Sequence, residues 1–433
     1  MTWYNNSWNY RKAITISNSG SALSDYQILV TVDTASLVAA SKMRSDCGDI
    51  RFVDTDDSTL LNYWIESVPP SSSATKIWIK VPSVPSSKTI NMYYGNTVAT
   101  STSNGVNTFN GFWTWDSNLD GWTATNNYTG INPFYATDGY PSPGCLFLHP
   151  PSAWVPSLGY IDWTLTTSTY ALRFYMKGQL NWDQTARFKV RNSASSWTTL
   201  YDQCILGSTW LLRGWYTYAG DINRLQFEGD SGTCYGGNAM QGEGTWFDSL
   251  IIRKYASPEP STSPLTEETF GSLNISSTPS GAVGASVYID GNGTASGVTQ
   301  LIVTNLAPGT HTYRLTKTGY TEISATNFTI NSGQTTTVSQ AMLTIASITA
   351  TSMTVYSPSE SPCRTGICTV GVSVTWTNNG ESTGSFVPSL TFSGGTITPT
   401  YSSEPLAVGA YVVHAFTISN MTAGSHSICP NPN

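Results

Sequence analysis

Charge is scarce in this chain. Asp, Glu, Lys and Arg make up 11% of it, against a usual share of about 25%. The formal net charge is -7 and no Lys/Arg cluster occurs, which excludes ordinary nucleic-acid binding through phosphate neutralisation. Histidine is also rare. His149, His311, His414 and His426 are scattered, without H-E-x-x-H or C-x-x-C spacing, so no transition-metal site is expected from them. No serine sits in a nucleophile elbow and no glycine-rich phosphate loop is present. No stretch approaches the ~20 apolar residues of a helical membrane span. The opening MTWYNNSWNY lacks the apolar core of a signal peptide. A leader removed beforehand, or export by another route, is the expectation.

Helical periodicity is nearly absent as well. One short helix is predicted over Ala35–Met43. The rest alternates with period two between Gly, Pro, Asn and Ser turns. The stretch from Gly48 to Asn96 is typical: IRFVD, KIWIKV and TINMYYG are strands separated by proline and serine. The fold class is therefore all-β. With 433 residues, the chain exceeds one hydrophobic core, and about three to five domains are expected. Tandem β-sandwich domains are predicted, a jelly roll plus Ig-like modules. Residues 1–107 form a first sandwich and 108–256 an aromatic-rich jelly roll. The stretch 257–269, SPEPSTSPLTEET, is a Pro/Ser linker. Residues 270–344 and 345–433 form two smaller sandwiches. NNG at 378–380 and SGG at 393–395 mark turns in the last.

Seven cysteines are present. Cys363 and Cys368, in PCRTGIC, are spaced for a hairpin disulfide, and Cys204 and Cys234 for one across a sheet. The odd count leaves a free or intermolecular thiol. Six Asn-x-Ser/Thr sequons, at Asn5, Asn127, Asn274, Asn292, Asn327 and Asn420, are candidate glycosylation sites. The turn Asp54–Asp57 gathers carboxylates that suit either calcium or a solvated hairpin. In WDSNLDGW and the closing strand, Asp116, Asp120 and Asp248 are candidate Ca2+ ligands, with plain Asx turns as the alternative. Glu228, Asp230 and Glu243 are weighed as a glycosidase acid/base pair, with ordinary turn residues at strand ends as the favoured alternative.

The richest signal is aromatic, with 15 Trp and 23 Tyr concentrated before residue 256. Exposed rings stack on sugars or anchor interfaces, and buried rings fill a core. Trp115, Trp122 and Trp215 are the candidate sugar-stacking residues. In TWLLRGWYTY, alternation puts Trp210 and Tyr216 on one face and Trp215 on the other, barring a bulge at Gly214.

These strings carry resemblances. WNYRKAITISN, YQILVTVD, GDIRFVDTDDSTLLNYWIE, IWIKVP and INMYYGN resemble the DUF2341 family of secreted bacterial and archaeal proteins, which has no established enzymatic role. FWTWDSNLDGWT, GYPSPGCLFL and WFDSLIIRKYASPEP resemble the lectin-like jelly rolls found beside it. STPSGA, SVYIDG, LAPGTHTYRLTKTGY and FTINSGQ resemble a PEGA domain, with SGAVGA where the literal PEGA string would stand. VSVTWTNNGESTGSF and LAVGAYVVHAFTISNMTAGSHSI resemble a CARDB adhesion module. Together they imply a surface or extracellular protein, with an archaeal origin as the expectation.

The leading expectation is thus a non-enzymatic structural or adhesive surface protein. Self-association, or partners among other surface proteins, would follow, with a β-edge at Thr15 or near the termini free to accept a neighbour's strand in a filament. The alternative is a carbohydrate-binding protein that uses the 108–256 jelly roll, with glycans as partners.

Overall fold

The computed structural model describes residues 3–66, 72–151, 155–178, 184–205, 208–230, 244–346, 348–356, 367–380, 383–392, 396–422 and 428–432. Two compact units divide the chain at residue 270.

The first unit holds two sandwiches. Its strands begin with β1 (Tyr10–Ser17), β2 (Leu23–Val32), β3 (Arg51–Val53), β4 (Leu60–Leu61), β5 (Tyr63–Ile65), β6 (Thr75–Val84) and β7 (Ser87–Tyr94). Alternation decides the faces, since successive side chains on a strand point to opposite sides. Ile14 and Ile16 of β1 turn inward with Ile28 and Val30 of β2 and Ile77 and Ile79 of β6. The helix α1 (Thr34–Ala39) is shorter than its sequence suggests. Asp33 caps it by accepting the Ser36 N–H at 3.0 Å.

The stretch 257–269 is not a linker throughout. Residues Ser261–Thr269 form a strand antiparallel to β1, from Tyr10↔Thr269 to Ser17↔Ser261. The chain leaves the first sandwich, builds the second, and returns to finish the first. Proline and serine concealed this. An edge strand needs only one row of donors, so Pro264 is tolerated opposite Ile14, where the register shifts. Carboxylates fix the strand. Glu268 pairs with Arg11 at 2.5 Å, and Glu267 engages Lys42 and the Tyr94 hydroxyl. The edge at Thr15 is therefore occupied by Ser263 of the same chain, which removes the strand-accepting edge expected there. Arg11 also reaches the buried Asp57 at 3.3 Å. Asp57 accepts bonds from Asn91 and Tyr93, and Asp54 pairs with Lys88 at 2.7 Å. The DTDD turn is thus tied into protein contacts.

The second sandwich comprises β8 (Gly111–Trp113), β9 (Thr123–Thr125), β10 (Phe134–Tyr135), β11 (Cys145–Leu148), β12 (Ser157–Ile161), β13 (Leu165–Lys177), β14 (Gln184–Arg191), β15 (Trp197–Ile205), β16 (Leu211–Ile222), β17 (Arg224–Asp230) and β18 (Thr245–Lys254); the returning strand is β19. One sheet runs β10-β11-β18-β13-β16, with β8 also on β18, and the other runs β15-β14-β17-β12-β9. Aromatic rings fill the space between them. Phe227 lies 4.2 Å from Phe247 and 4.6 Å from Phe188, centroid to centroid. Gly159 admits this packing, because a Cβ there would come within 2.7 Å of Leu146.

The outer face of the β18-containing sheet lies against the first sandwich. Trp78, Phe109 and Ile251 are buried at the junction, packed by Trp64, Phe112 and Trp215. Arg253 stacks over Trp78 at 5.0 Å and Trp215 at 4.6 Å, and Arg173 over Trp215 at 4.8 Å. Each guanidinium has a carboxylate: Arg173 pairs with Glu66 at 2.8 Å and Arg253 with Glu259 at 2.6 Å. Tyr26 donates to Glu259 as well.

The second unit has two smaller sandwiches. In the first, Gly271–Thr278 runs parallel to Thr335–Ala341 and antiparallel to Leu301–Leu306. Its other sheet orders Gly297–Val298, Ser286–Ile289, Gly309–Thr316 and Ile323–Ile330, closing over Leu273, Val287 and Leu315. In the last, Ile348–Val355, Ile367–Asn378, Tyr411–Thr422 and Thr396–Thr398 form one sheet over Trp376, Val374 and Phe416.

Two outcomes follow. Arg11→Ala leaves Asp57 buried without its cation and should lower stability by about 3–5 kcal/mol, read by urea denaturation with tryptophan fluorescence. Glu66 gives a pH dependence. Burial opposes its ionisation, but the charge and hydrogen bond of Arg173, with the Trp78 N–H, outweigh burial and hold the carboxyl below its ordinary 4.5. Its contribution is complete above that value and is lost as pH falls through the lower folded value. Acid titration of the wild type should therefore loosen the junction below about pH 4.5 more steeply than titration of Glu66→Gln. Equal slopes would remove Glu66 from the account.

Candidate functional site

The other outer face of the second sandwich points away from the first. Period-two alternation in ARFKVR sends Ala186, Phe188 and Val190 into the core and leaves Arg187, Lys189 and Arg191 outside. Neighbouring strands continue these rows, because directly paired residues share a face. One row runs Leu158, Glu228, Arg187, Asp202. The next runs Tyr160, Gln226, Lys189, Thr199. A third joins Arg224, Arg191 and Trp197. From β12 to β15 the rows cross three strand spacings, or about 14 Å.

Glu228 stands at the centre. Lys189 binds its Oε1 at 2.7 Å, the Gln226 amide donates to it at 2.8 Å, and Arg187 lies 3.7 Å from its other oxygen. Arg187 also reaches Asp202 at 3.1 Å. At the margin, Arg224 and Arg191 converge on Asp162 at 2.5 and 3.6 Å. The Arg224 hydrogen bond holds that carboxyl below its ordinary value. Rings stand at both ends: Arg224 lies 4.3 Å over Tyr160, and Arg191 lies 5.6 Å over Trp197. Trp197 is 42% exposed. The face offers the partly exposed Arg187, Lys189 and Arg191 between two aromatic surfaces, and the buried Gln226 and Glu228 hold the cations from beneath. That chemistry suits hydroxyl-rich rings, which take hydrogen bonds at their edges and stack through their C–H faces. The alternation of ARFKVR was the signal for these residues. Tyr160 and Trp197 had none beyond being aromatic.

The residues singled out from sequence lie elsewhere. Trp115 and Trp122 are buried and pack edge-on at 5.4 Å within the core beside Phe227. Neither ring is available to a sugar. Trp215 belongs to the junction, beneath Arg173 and Arg253. The register slips so that Leu172 faces Tyr216 and Phe174 faces Arg213, a bulge around Gly214. Tyr216 packs inward as a result.

Asp116, Asp120 and Asp248 surround one loop. Asp248 is fully buried and accepts the Tyr140 and Ser249 N–H groups, each at 2.5 Å. Burial, reinforced by the charge of Asp116 and opposed by those donors, pushes its carboxyl up to about 8. Asp116 accepts from Ser142 and Thr114. Asp120 accepts the Trp115 N–H at 3.1 Å and is also raised, mainly by burial. Gly144, at φ +106°, lies against the carbonyls of Trp115 and Asp116. Among the described residues, no group of three or more His, Cys, Asp or Glu is placed to hold a metal ion.

The Glu228 carboxylate is engaged by cations; its proposed partners, Glu243 and the Asp230 side chain, lie outside the described residues. His149 packs on Tyr128 and Phe147, His311 binds Asp290 at 2.7 Å, and His414 lies 3.0 Å from Glu404; His426 is outside the described residues. Cys204 is disulfide-bonded. Cys234, Cys363 and the Cys368 side chain fall outside the described residues. Cys47 and Cys145 are free and buried, and Cys429 is free and exposed. Of the sequons, Asn5, Asn292 and Asn327 are exposed and Asn274 is half-buried. The Asn127 amide donates to the Phe147 carbonyl and accepts from Ser157 and the His149 N–H. The Asn420 side chain is outside the described set. Among the described residues, no helix is long and apolar enough to cross a membrane.

The family described as "Domain of unknown function (DUF2341)" matches residues 46–125, and the PEGA domain matches residues 270–344. The first match runs past residue 107 into β9, so it spans the junction between the sandwiches. No curated protein matches the chain. Solved structures with some similarity include the CBM22-1 xylan-binding domain from Paenibacillus barcinonensis Xyn10C, 15% identical. It covers 34% of this chain and 96% of its own, with a TM-score of 0.25. The CBM22-1-GH10 modules of Clostridium thermocellum xylanase 10B, complexed with xylohexaose, are 12% identical over 34% of this chain and 28% of theirs, with a TM-score of 0.26. TmCBM61 in complex with β-1,4-galactotriose is 13% identical over 32% and 90%, with a TM-score of 0.23. At these scores the likeness carries no ligand to this chain. It is the DUF2341 match, and the PEGA match behind it, that mark this as a chain of modules.

Proposed function

We propose that the chain is a non-catalytic extracellular glycan-binding protein whose sugar-contacting surface is the outer face of the β15-β14-β17-β12-β9 sheet. The observation that carries this reading is the row of partly exposed cations, Arg187, Lys189 and Arg191, held over the buried Glu228 and Gln226 between the rings of Tyr160 and Trp197. The other modules would present that face, the last as a CARDB-like adhesive module. Asn5, Asn292 and Asn327 are the sequons best placed to carry glycans. A filament built through the β1 edge has less support, because β19 fills that edge.

Calcium has a place in this reading as a structural ion. Asp248 is a buried carboxylate whose hydrogen-bond donors are neutral, and Asp116 adds negative charge beside it. The carboxylates of Asp248 and Asp116 would supply hard oxygen ligands, which is the chemistry Ca2+ prefers. The ion would tie the 138–144 loop to the sheet edge and leave the sugar face untouched.

Glycan-array screening of the full chain tests the binding reading. Trp197→Ala and Tyr160→Ala should each weaken the strongest glycan by about fivefold, from the loss of roughly 1 kcal/mol of ring contact. Binding unchanged in both variants would end the assignment of this face. Calcium is tested separately. Millimolar CaCl2 should raise the melting temperature by about 5 °C, EGTA should reverse the gain, and Asp248→Asn should abolish it.

A further inference from the structure

Along β8, residues of the short helix Gly105–Thr108, of β8 itself and of the turn after β12 enclose a cavity of about 410 Å³. We propose that this pocket binds an organic ammonium ion, its charge on the Asp120 carboxylate and its carbon atoms against the Trp163 ring.

The walls are aromatic. Phe109, Phe112, Trp113 and Trp163 line the pocket, with Val106 at its helical side. Phe112 and Trp113 follow one another on a strand and so point to opposite faces. A pocket reaches both only at the edge of the strand. β8 pairs with β18 on one side, and among the described residues no strand pairs with the other. Trp163 is fixed before any ligand arrives. Its indole N–H donates to the Asn110 carbonyl at 3.1 Å, and its ring meets that of Trp113 at 81°, with centroids 5.1 Å apart. It is still 37% exposed. The size, within the roughly 300–1,000 Å³ of ligand pockets, suits a small molecule.

The charge of the ligand follows from the lining. Asp120 is the one charged group among the described residues of the wall. Its side chain is accessible, and the hydrogen bond from the Trp115 N–H uses Oδ2 alone. The charge acting on it is that of Asp116, of the same sign. An anion would therefore meet two carboxylates. A neutral ring would leave the carboxylate uncompensated, and an inorganic cation would leave the rings uncovered. An ammonium that carries methyl groups or a sugar ring answers both demands, because cations are attracted to aromatic faces as well as to carboxylates. Methylated headgroups and amino sugars share this chemistry.

The site is independent of the proposed glycan face, and the experiment separates them. Choline chloride and glucosamine hydrochloride are titrated into the full chain at about pH 6.5, where both are cations. EGTA keeps calcium from Asp116, and glucose and ammonium chloride serve as comparison probes. Binding is read from the indole N–H signals in two-dimensional NMR, the Trp163 signal being the one absent from Trp163→Phe. The expected result is a saturable shift of that signal by at least one of the two organic cations, and none by glucose or ammonium chloride. The stronger of the two identifies the source as a methylated headgroup or an amino sugar. Asp120→Asn keeps an acceptor for the Trp115 N–H, and Asn tolerates the left-handed φ of +49° at this position. This variant should bind about fivefold more weakly, the value of one charge at an accessible site. Val106→Lys, which brings an ammonium of the chain's own to the exposed rim, should abolish binding. Trp197→Ala should leave it unchanged. Thermal melts that match the wild type establish that the pocket variants fold. The proposal is overturned if neither organic cation gives a saturable shift, if glucose or ammonium chloride shifts the signal equally, or if folded Asp120→Asn or Val106→Lys binds normally.

Discussion

A guanidinium buried between two sheets must be paired and stacked, or the sheets separate. That constraint governs the first unit. Arg173 and Arg253 stand on the second sandwich and meet Glu66 on the first and Glu259 on the segment that returns to it. Trp78 and Trp215 cover their faces. Stacking and pairing use different parts of the same group, so one arginine satisfies an aromatic wall and a carboxylate together. Removing either partner leaves a charge in a dry place, which costs more than the contact itself contributes. The junction is thus selective about its composition, and it orients the sheet opposite to face outward.

That outward sheet shows how geometry sorts one side-chain inventory into two roles. Phe188 and Arg187 are adjacent in sequence and sit on opposite sides of the same strand. The core receives the ring and the surface receives the charge. Lys189 and Gln226 repeat the pattern one pair further along, and Glu228 collects donors from both neighbours. The result is a polar surface with fixed spacing on a rigid aromatic core. Binding surfaces of this kind lose little conformational freedom when a ligand arrives.

Much of the fold was legible because a period of two leaves a clear trace. Ile14 and Ile16, or Val370 to Trp376 on alternate positions, announce an inward face wherever they occur. The sequence could not show which sheet a strand joins. STSPLTEET has the composition of a linker, and only tertiary pairing with β1 makes it a strand. The tryptophans failed for a related reason. Trp115 and Trp122 are large and sit in a turn-rich stretch, where burial and exposure look alike in one dimension. Trp215 changed sides because a bulge at Gly214 reset the alternation. The ladder itself was written in ARFKVR, but its significance depends on β12, β15 and β17 lying beside it.

The returning strand has a mechanical meaning. Tyr10 and Thr269 face each other at the same end of the β1–β19 pair. Tension applied upstream of Tyr10 and downstream of Thr269 therefore pulls both strands from that one end. The hydrogen bonds are then loaded in turn and open like a zipper, instead of resisting together in shear. Arg11 and Glu268 form the second rung and take the load almost at once. Along this path the pair behaves as a yielding clasp: it gives way stepwise at low force, while the second sandwich, whose two ends both enter from the junction side of the clasp, remains outside the line of pull until the clasp has opened.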